Sequence, residues 1–198
     1  MNYLAHAYLS FNEPEILAGN MISDFVKGRK KFDYSSTIQQ GIALHRAIDQ
    51  FTDFHPVTQE AKSYFKKDYR LYSGAFVDVV FDHFLANDKN EFSNDKELDS
   101  FCQSTYHNLQ NNSSVFPEKF LHMLPYMKEQ NWLFHYGSRE GIEKSFGGLV
   151  RRAVYLSESA IAFSIFNNYY QELEKCYQLF FPEIKKFSAQ YVSELNNQ

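Results

Sequence analysis

The segment from residue 73 to residue 86 constrains the fold of this chain more than any other stretch. Its side chains are mostly apolar, and valine or phenylalanine falls on every side of a helix drawn through them. A helix that is apolar nearly all round is stable in water only when other elements surround it. The segment therefore predicts a central helix against which the rest of the chain packs.

The remainder of the chain has the same helical character. Apolar residues recur at spacings of three and four, whereas the alternation typical of strands is scarce. A chain of 198 residues, 44% of them hydrophobic, can bury a sizeable core. We therefore predict an all-α fold, a single-domain helical bundle over residues 1–198 with seven or eight helices. Residues 161–192 are predicted to form one or two aromatic helices, interrupted near Pro182.

Charge and cysteine content argue against several classes of function. The formal net charge is −4, so the protein as a whole is not built to attract nucleic acid. Cys102 and Cys176 match neither a disulfide framework nor a thiolate zinc site. No apolar run approaches the roughly 18 residues of a membrane span, and the N-terminus lacks the pattern of a signal peptide. These features predict a cytoplasmic protein that does not act at a membrane.

A pattern that suits a metal ion begins at His45 and ends before Pro56. His45 and Asp49 are four residues apart and share one face of a helix, and Arg46 is close enough to hold the Asp49 carboxylate. Imidazole and carboxylate groups without a thiol suit a hard or borderline divalent cation. A single pair of this kind is more often a surface interaction worth about 0.2–0.5 kcal/mol. The metal hypothesis therefore depends on similar groups elsewhere.

Such groups occur in three other apolar segments. The central segment carries Asp82 and His83, and a buried aspartate nearly always has a partner. His6 and Asp24 each lie among apolar residues, where an ordinary structural or surface role is the alternative. We predict that six residues from at least four helices converge on one metal site, namely His6, Asp24, His45, Asp49, Asp82 and His83. His6 or Asp24 could instead orient a ligand without contacting the metal.

Two groups of basic residues stand out in an acidic protein. A run of four directly follows Asp24, and although cations commonly end a helix, this run also provides a local surface for an acidic partner. Its members are Lys27, Arg29, Lys30 and Lys31. Arg151 and Arg152, on a later helix, could reach a phosphate, but solvated charge is the more common role.

Four sequence blocks together resemble the acyl carrier protein phosphodiesterases, also called holo-ACP hydrolases, in which the same blocks occur in the same order. The blocks are residues 1–6, 19–28, 41–56 and 82–86. The match is specific over residues 1–86 and diffuse beyond them. Residues 87–90 depart from the family pattern, because family members often have a tryptophan there, and the rim of the pocket is expected to differ.

The resemblance implies a distorted form of the His-Asp (HD) phosphohydrolase fold. It implies removal of 4′-phosphopantetheine from the serine of holo acyl carrier protein, giving the apo protein, by a water that a divalent cation activates. Manganese is the expected cation, with magnesium or iron(II) as alternatives, and the basic run is expected to bind the acidic carrier protein. Arg46 would contact the phosphate or Asp49. The candidate catalytic residues are Asp24, Arg46, Asp49 and His83.

Two other functions fit the same residues. An HD-type phosphohydrolase acting on a nucleotide or another small phosphoester would use the same metal site. A non-catalytic helical module that binds acyl carrier protein or another acidic partner would leave the aspartates and histidines as structural groups. Turnover of holo acyl carrier protein with manganese distinguishes these possibilities.

Overall fold

The computed structural model describes residues 1–196, and this part of the chain contains helices and no strand, which confirms the all-α prediction. Short 3-10 turns connect several of the helices. The α-helices of the described residues are α1 (Tyr3–Tyr8), α2 (Pro14–Ile22), α3 (Ser36–Phe54), α4 (Pro56–Tyr69), α5 (Ser73–Asn87), α6 (Asp95–Asn111), α7 (Glu118–Glu129), α8 (Trp132–His135), α9 (Arg139–Arg152), α10 (Ala160–Asn168) and α11 (Tyr170–Asn196).

Helix α5 is the central helix that its sequence predicts. Most of its side chains are buried, including the adjacent polar pair Asp82 and His83. Helices α1, α4, α9 and α11 all pack against it. Any ionisable group on α5 must therefore find its partners inside the protein.

Helices α2 and α3 cross so closely that their backbones touch. A Cβ atom on Gly19 would overlap the Ile38 carbonyl oxygen, and one on Gly41 would overlap the Ile16 carbonyl oxygen. Glycine at both positions therefore permits an approach that no larger residue allows. The crossing brings the turn of α2 that follows Gly19 against the middle of α3.

The second half of the chain differs from the prediction in detail. It contains more helices than expected, partly because α8 is a separate helix of four residues. The break in the last aromatic region lies at Tyr169, between α10 and α11, and Pro182 lies inside α11. The expected interruption near Pro182 is therefore wrong. The neighbouring Phe180 and Phe181 are buried, and their packing stabilises the helix across the missing hydrogen bond.

None of the helices in residues 1–196 combines the length and the apolar character that crossing a bilayer requires.

Candidate metal centre

Four of the six predicted site residues meet in one cluster. His6 comes from α1, His45 and Asp49 come from α3, and Asp24 comes from a 3-10 turn, Ser23–Phe25, that follows α2. The Asp49 carboxylate contacts both imidazoles, with Oδ1 3.3 Å from Nε2 of His6 and Oδ2 3.2 Å from Nε2 of His45. Asp24 Oδ1 lies 3.2 Å from the same His45 nitrogen. The two rings stack with centroids 4.0 Å apart.

Asn20 of α2 fixes the orientation of both imidazole rings. Nδ1 of His45 lies 2.8 Å from the Asn20 backbone oxygen, which only accepts, so this nitrogen carries a proton. The Asn20 amide nitrogen donates to the His6 carbonyl oxygen and to Ser10 Oγ, which directs its oxygen towards Nδ1 of His6, 2.8 Å away. The hydrogen-bond network therefore assigns the Nδ1 proton on both rings. In the neutral rings, both Nε2 lone pairs point towards Asp49.

This arrangement fits a divalent cation. A neutral His6 presents a lone pair to a carboxylate oxygen, so the 3.3 Å contact joins two acceptors without a proton between them. A cation placed between them would convert that contact into two ligand bonds. One donor atom from each of His6, His45 and Asp49 lies within 4.8 Å of the others. Imidazole nitrogen with carboxylate oxygen is a donor set that manganese and iron(II) accept.

The ionisation of the cluster is set by burial and by the two carboxylates. Burial, reinforced by the neighbouring His45, lowers the pKa of His6 to about 4. Burial also acts to lower the pKa of His45, but hydrogen bonds to Asp24 and Asp49 outweigh it and raise that pKa to about 9. The Asp24 pKa is lowered, chiefly by its hydrogen bond to His45. Both carboxylates therefore stay ionised at neutral pH, and without a cation His45 carries a second proton on Nε2. A bound cation would take the place of that proton.

The cluster opens into a cavity of about 540 Å³. Its wall is strongly acidic, with four aspartates among the described lining residues: Asp24, Asp49, Asp53 and Asp78. Asp24 is the most accessible member of the cluster, with 71% of its side chain exposed, whereas Asp49 is 44% exposed and His6 only 5%. A ligand entering the cavity would therefore meet Asp24 before it reaches the two rings.

Asp82 does not belong to this cluster, which corrects the six-residue prediction. Its carboxylate is fully buried and accepts backbone N–H groups from Leu4 at 2.7 Å, Asn2 at 3.1 Å and Ala5 at 3.3 Å. These amides belong to the start of α1, where helical N–H groups lack intrahelical partners. Burial raises the pKa of Asp82 to about 7 against the effect of these donors. Asp82 therefore anchors the helix that carries His6.

His83 also lies outside the cluster, and both of its ring nitrogens have protein partners. Nδ1 donates to the Tyr136 carbonyl oxygen at 2.7 Å, and Nε2 lies 3.0 Å from the Tyr170 hydroxyl. Burial lowers the pKa of His83 to about 4, so the ring is neutral and Nε2 accepts from the tyrosine. A neutral imidazole with both nitrogens bonded has no lone pair left for a metal. The ligand and catalytic roles predicted for His83 are therefore not supported by its position.

Arg46 is exposed on a different face of α3 from His45 and Asp49. Its guanidinium donates to the Val26 carbonyl oxygen at 3.2 Å, and it makes no ion pair with Asp49 among the described residues. It lines a separate groove of about 1020 Å³ between α3 and α11. The expected contact of Arg46 with Asp49 is therefore wrong, and its side chain does not line the cavity.

The basic run lies in a 3-10 turn, Gly28–Asp33, and the residue before it. Lys27, Arg29 and Lys30 are exposed, while Lys31 is partly buried and lines the same groove as Arg46. The run follows Asp24 directly along the chain. Its predicted role in binding a partner stays a prediction.

Asn20 is a residue of the site that was not identified from the sequence. The signal that could have found it is its position in an apolar segment, because a buried amide must satisfy its hydrogen bonds. By sequence, Arg151 and Arg152 could both reach a phosphate, with solvated charge as the more common role, and of the two Arg152 lines the cavity. Since Arg152 is far from the other site residues in sequence, only the packing of α9 reveals its position.

The fold and the site together define an all-helical protein with an imidazole–carboxylate cluster at the wall of an acidic cavity. The family model for acyl carrier protein phosphodiesterase matches residues 1–184. The chain therefore belongs to the acyl carrier protein phosphodiesterase family.

Similar proteins support this membership over nearly the full chain. A protein from Yersinia enterocolitica, named acyl carrier protein phosphodiesterase, is 32% identical over 92% of this chain and 94% of its own length. Proteins of the same name from Yersinia pestis and Photorhabdus laumondii are 32% and 30% identical, over 94% and 92% of this chain and 96% and 92% of their own lengths. No solved structure matches the chain, so the likeness to the HD fold stays a prediction.

Proposed function

We propose that this protein hydrolyses the phosphodiester between 4′-phosphopantetheine and the serine of holo acyl carrier protein. The observation that carries the proposal is the cluster in which Asp49 bridges two imidazoles of fixed tautomer at the wall of a cavity. Family membership supplies the substrate, because the relatives are named for acyl carrier protein phosphodiesterase activity. Water would add to phosphorus, the serine oxygen would leave, and the products would be 4′-phosphopantetheine and the apo protein.

The residues that would hold a divalent cation are His6, His45 and Asp49. Such a cation supplies positive charge for the phosphate oxygens and a water of lowered pKa as nucleophile. Manganese is our first expectation, with magnesium and iron(II) as alternatives, because the donor set contains no thiolate. Asn20 holds both rings so that their Nε2 lone pairs face the same point.

Asp24 is our candidate for the general base. Its carboxylate borders the cavity, is largely exposed, and is held by His45 at 3.2 Å. Its lowered pKa keeps it ionised, so that it can orient a water and accept its proton. Asp49, by contrast, uses both oxygens on the imidazoles and is better suited to holding the cation.

The exposed basic residues after Asp24 are our candidate docking surface for the carrier protein. Lys27, Arg29 and Lys30 lie within six residues of a cavity-lining group, and complementary charge mainly accelerates association with an acidic partner. Lys31 contributes less to such a surface, since it lines the groove on another face of α3.

The test is to incubate the protein with holo acyl carrier protein and manganese and to measure the mass of the carrier protein. Loss of the phosphopantetheine mass supports the proposal. Activity on nucleotides alone would instead support a general phosphohydrolase, and tight binding without mass loss would support a binding module.

A second experiment tests docking separately from chemistry. The Lys27→Glu/Arg29→Glu variant should raise KM for the carrier protein and leave hydrolysis of bis(p-nitrophenyl) phosphate unchanged. Lys66→Glu/Lys67→Glu, on the exposed face of α4, is the matched control because these lysines line neither cavity. Equal loss on both substrates would show that the run supports the fold rather than docking.

A further inference from the structure

The acidic cavity contains one arginine among its described lining residues. Arg152 ends α9 and reaches the same cavity as the imidazole–carboxylate cluster. The α-amino group of Met1 also lines this cavity, but it is paired with Asp78 at 2.7 Å. Arg152 itself makes no ion pair within residues 1–196. Its charge is therefore uncompensated in a cavity lined by four aspartates.

Tyr3 lines the cavity together with Arg152. Burial raises the pKa of the Tyr3 hydroxyl, and the charge of the nearby Arg152 guanidinium offsets part of that rise. Tyr3 and His6 are three residues apart in α1, so their side chains lie on neighbouring parts of one helix face. A phenol is a neutral partner. The guanidinium therefore lies beside a group that does not cancel its charge.

We propose that Arg152 binds the phosphate group of the phosphodiester substrate, next to the site formed by His6, His45 and Asp49. The proposal rests on the proposed function, because it assigns the group that recognises that function's substrate. A phosphodiester carries its negative charge on two non-bridging oxygens, which match the planar donor pair of a guanidinium. As charge increases on these oxygens in the transition state, the same donors stabilise it further.

The acidity of the cavity explains why such a residue is needed. Asp78 and Asp53 are paired with the Met1 amino group and with Lys62, but Asp24 and Asp49 still repel a phosphate that approaches the cluster. Arg46, which the sequence suggested for this task, lies on another face of α3 with its guanidinium on a backbone carbonyl. Arg152 therefore takes the role first predicted for Arg46.

The adjacent Arg151 provides a matched control. Both arginines are exposed, but Arg151 does not line the cavity and lies beside Gly147 of its own helix. Arg151→Ala and Arg152→Ala remove the same charge from neighbouring positions of α9. Arg152→Lys keeps the charge at the second position but removes the paired donors.

The experiment measures kcat and KM on bis(p-nitrophenyl) phosphate and on holo acyl carrier protein with manganese. Arg152→Ala should lower kcat/KM on both substrates by about 10²–10³-fold, the effect of losing an oxyanion donor. Arg152→Lys should recover only part of that loss, and Arg151→Ala should stay within about twofold of wild type on the small diester. Wild-type kcat/KM in Arg152→Ala would overturn the inference and leave the proposed function intact.

Two further readouts separate this inference from a structural role and from failure of the proposed function. Manganese binding by calorimetry should be unchanged in Arg152→Ala, and its loss would show that Arg152 supports the metal centre instead. If the wild type does not release phosphopantetheine at all, binding of inorganic phosphate to the manganese-loaded protein tests the role of Arg152 independently. Phosphate binding that is weaker in Arg152→Ala but not in Arg151→Ala would support the inference. Equal phosphate binding by Arg151→Ala, Arg152→Ala and the wild type would overturn it.

Discussion

Two histidine–aspartate groups in this chain differ in the partners of their ring nitrogens and carboxylate oxygens. In the first, Nε2 of His6 and Nε2 of His45 both face the Asp49 carboxylate at the wall of a cavity. In the second, Asp82 accepts three backbone N–H groups and His83 uses both ring nitrogens on tyrosine residues. Both groups combine the same residue types, and their imidazoles are buried. The difference is that the Nε2 atoms of the first group face a carboxylate at a cavity wall, where a cation could bind between them.

The comparison separates a candidate metal centre from the residues that support it. Asp82 holds the start of α1, and α1 presents His6 to the cluster. Asp82 of the second group therefore stabilises the helix that carries His6 but is not part of the first group. Variants in the first should change metal binding and rate, whereas variants in the second should change stability.

The largest effect is expected for Asp49→Asn. Asp49 is the only described residue whose carboxylate contacts both imidazoles, so its loss should remove most of the charge stabilisation that a cation provides, several kcal/mol. We expect kcat/KM for the carrier protein to fall about 10²–10³-fold and manganese affinity to fall with it, with little change in thermal stability. Mass-spectrometric rates and calorimetry measure both, with Asp68→Asn, exposed on α4, as the control. Unchanged manganese affinity would contradict the assignment of this group as the metal centre.

Asp82→Ala is expected to act on folding instead. It leaves three buried N–H groups of α1 without an acceptor, which costs about 3 kcal/mol or more. Urea denaturation should show this loss in the free energy of unfolding. A variant of normal stability that binds no manganese would show that Asp82 is a ligand and that the two groups are one site.

Asn20→Ala should have an intermediate effect confined to the metal centre. The substitution frees Nδ1 of His6 and allows its ring to rotate or change tautomer, and the loss of such a partner lowers metal affinity about 10–100-fold. The matched control is Asn87→Ala, which removes the amide that donates to the His83 carbonyl oxygen at 2.8 Å. Calorimetry with manganese should separate the two variants. Equal losses of affinity would show that the groups are coupled more closely than their contacts indicate.

The smallest effect is expected for Arg46→Lys. Arg46 contacts a backbone carbonyl and lies outside both groups, so rates on holo acyl carrier protein should stay within about twofold of wild type. A small decrease in melting temperature is compatible with loss of that hydrogen bond. A rate reduced tenfold at normal stability would restore the original prediction that Arg46 contacts the phosphate.

The sequence was sufficient for the fold class and for part of the site. Helical spacing alone places His45 and Asp49 on one face, and the apolar segment around Asp82 correctly predicts a buried central helix. The resemblance to a known family added His6 and Asp24, which spacing alone left open. All of these depend on local patterns or on blocks of matching residues.

The remaining assignments depend on geometry that a linear pattern does not contain. A buried aspartate must have a partner, but the sequence cannot show whether that partner is a metal or the backbone N–H groups of another helix. Arg46 is next to His45 in the chain, yet successive residues on a helix are about 100° apart. Which of the two faces the cavity is decided by the close crossing at Gly19 and Gly41.

The shortness of α1 has a consequence for the order of folding. A helix of six residues is too short to persist alone in water, and its anchor, Asp82, lies 78 residues from Leu4 along the chain. Residues of α2 and α3 can meet early because little chain separates them. Asn20 links His6 to α2, but the start of α1 gains its acceptor only when the central helix has docked. We therefore expect a cation that binds His6 to stabilise the docking of the central helix as well.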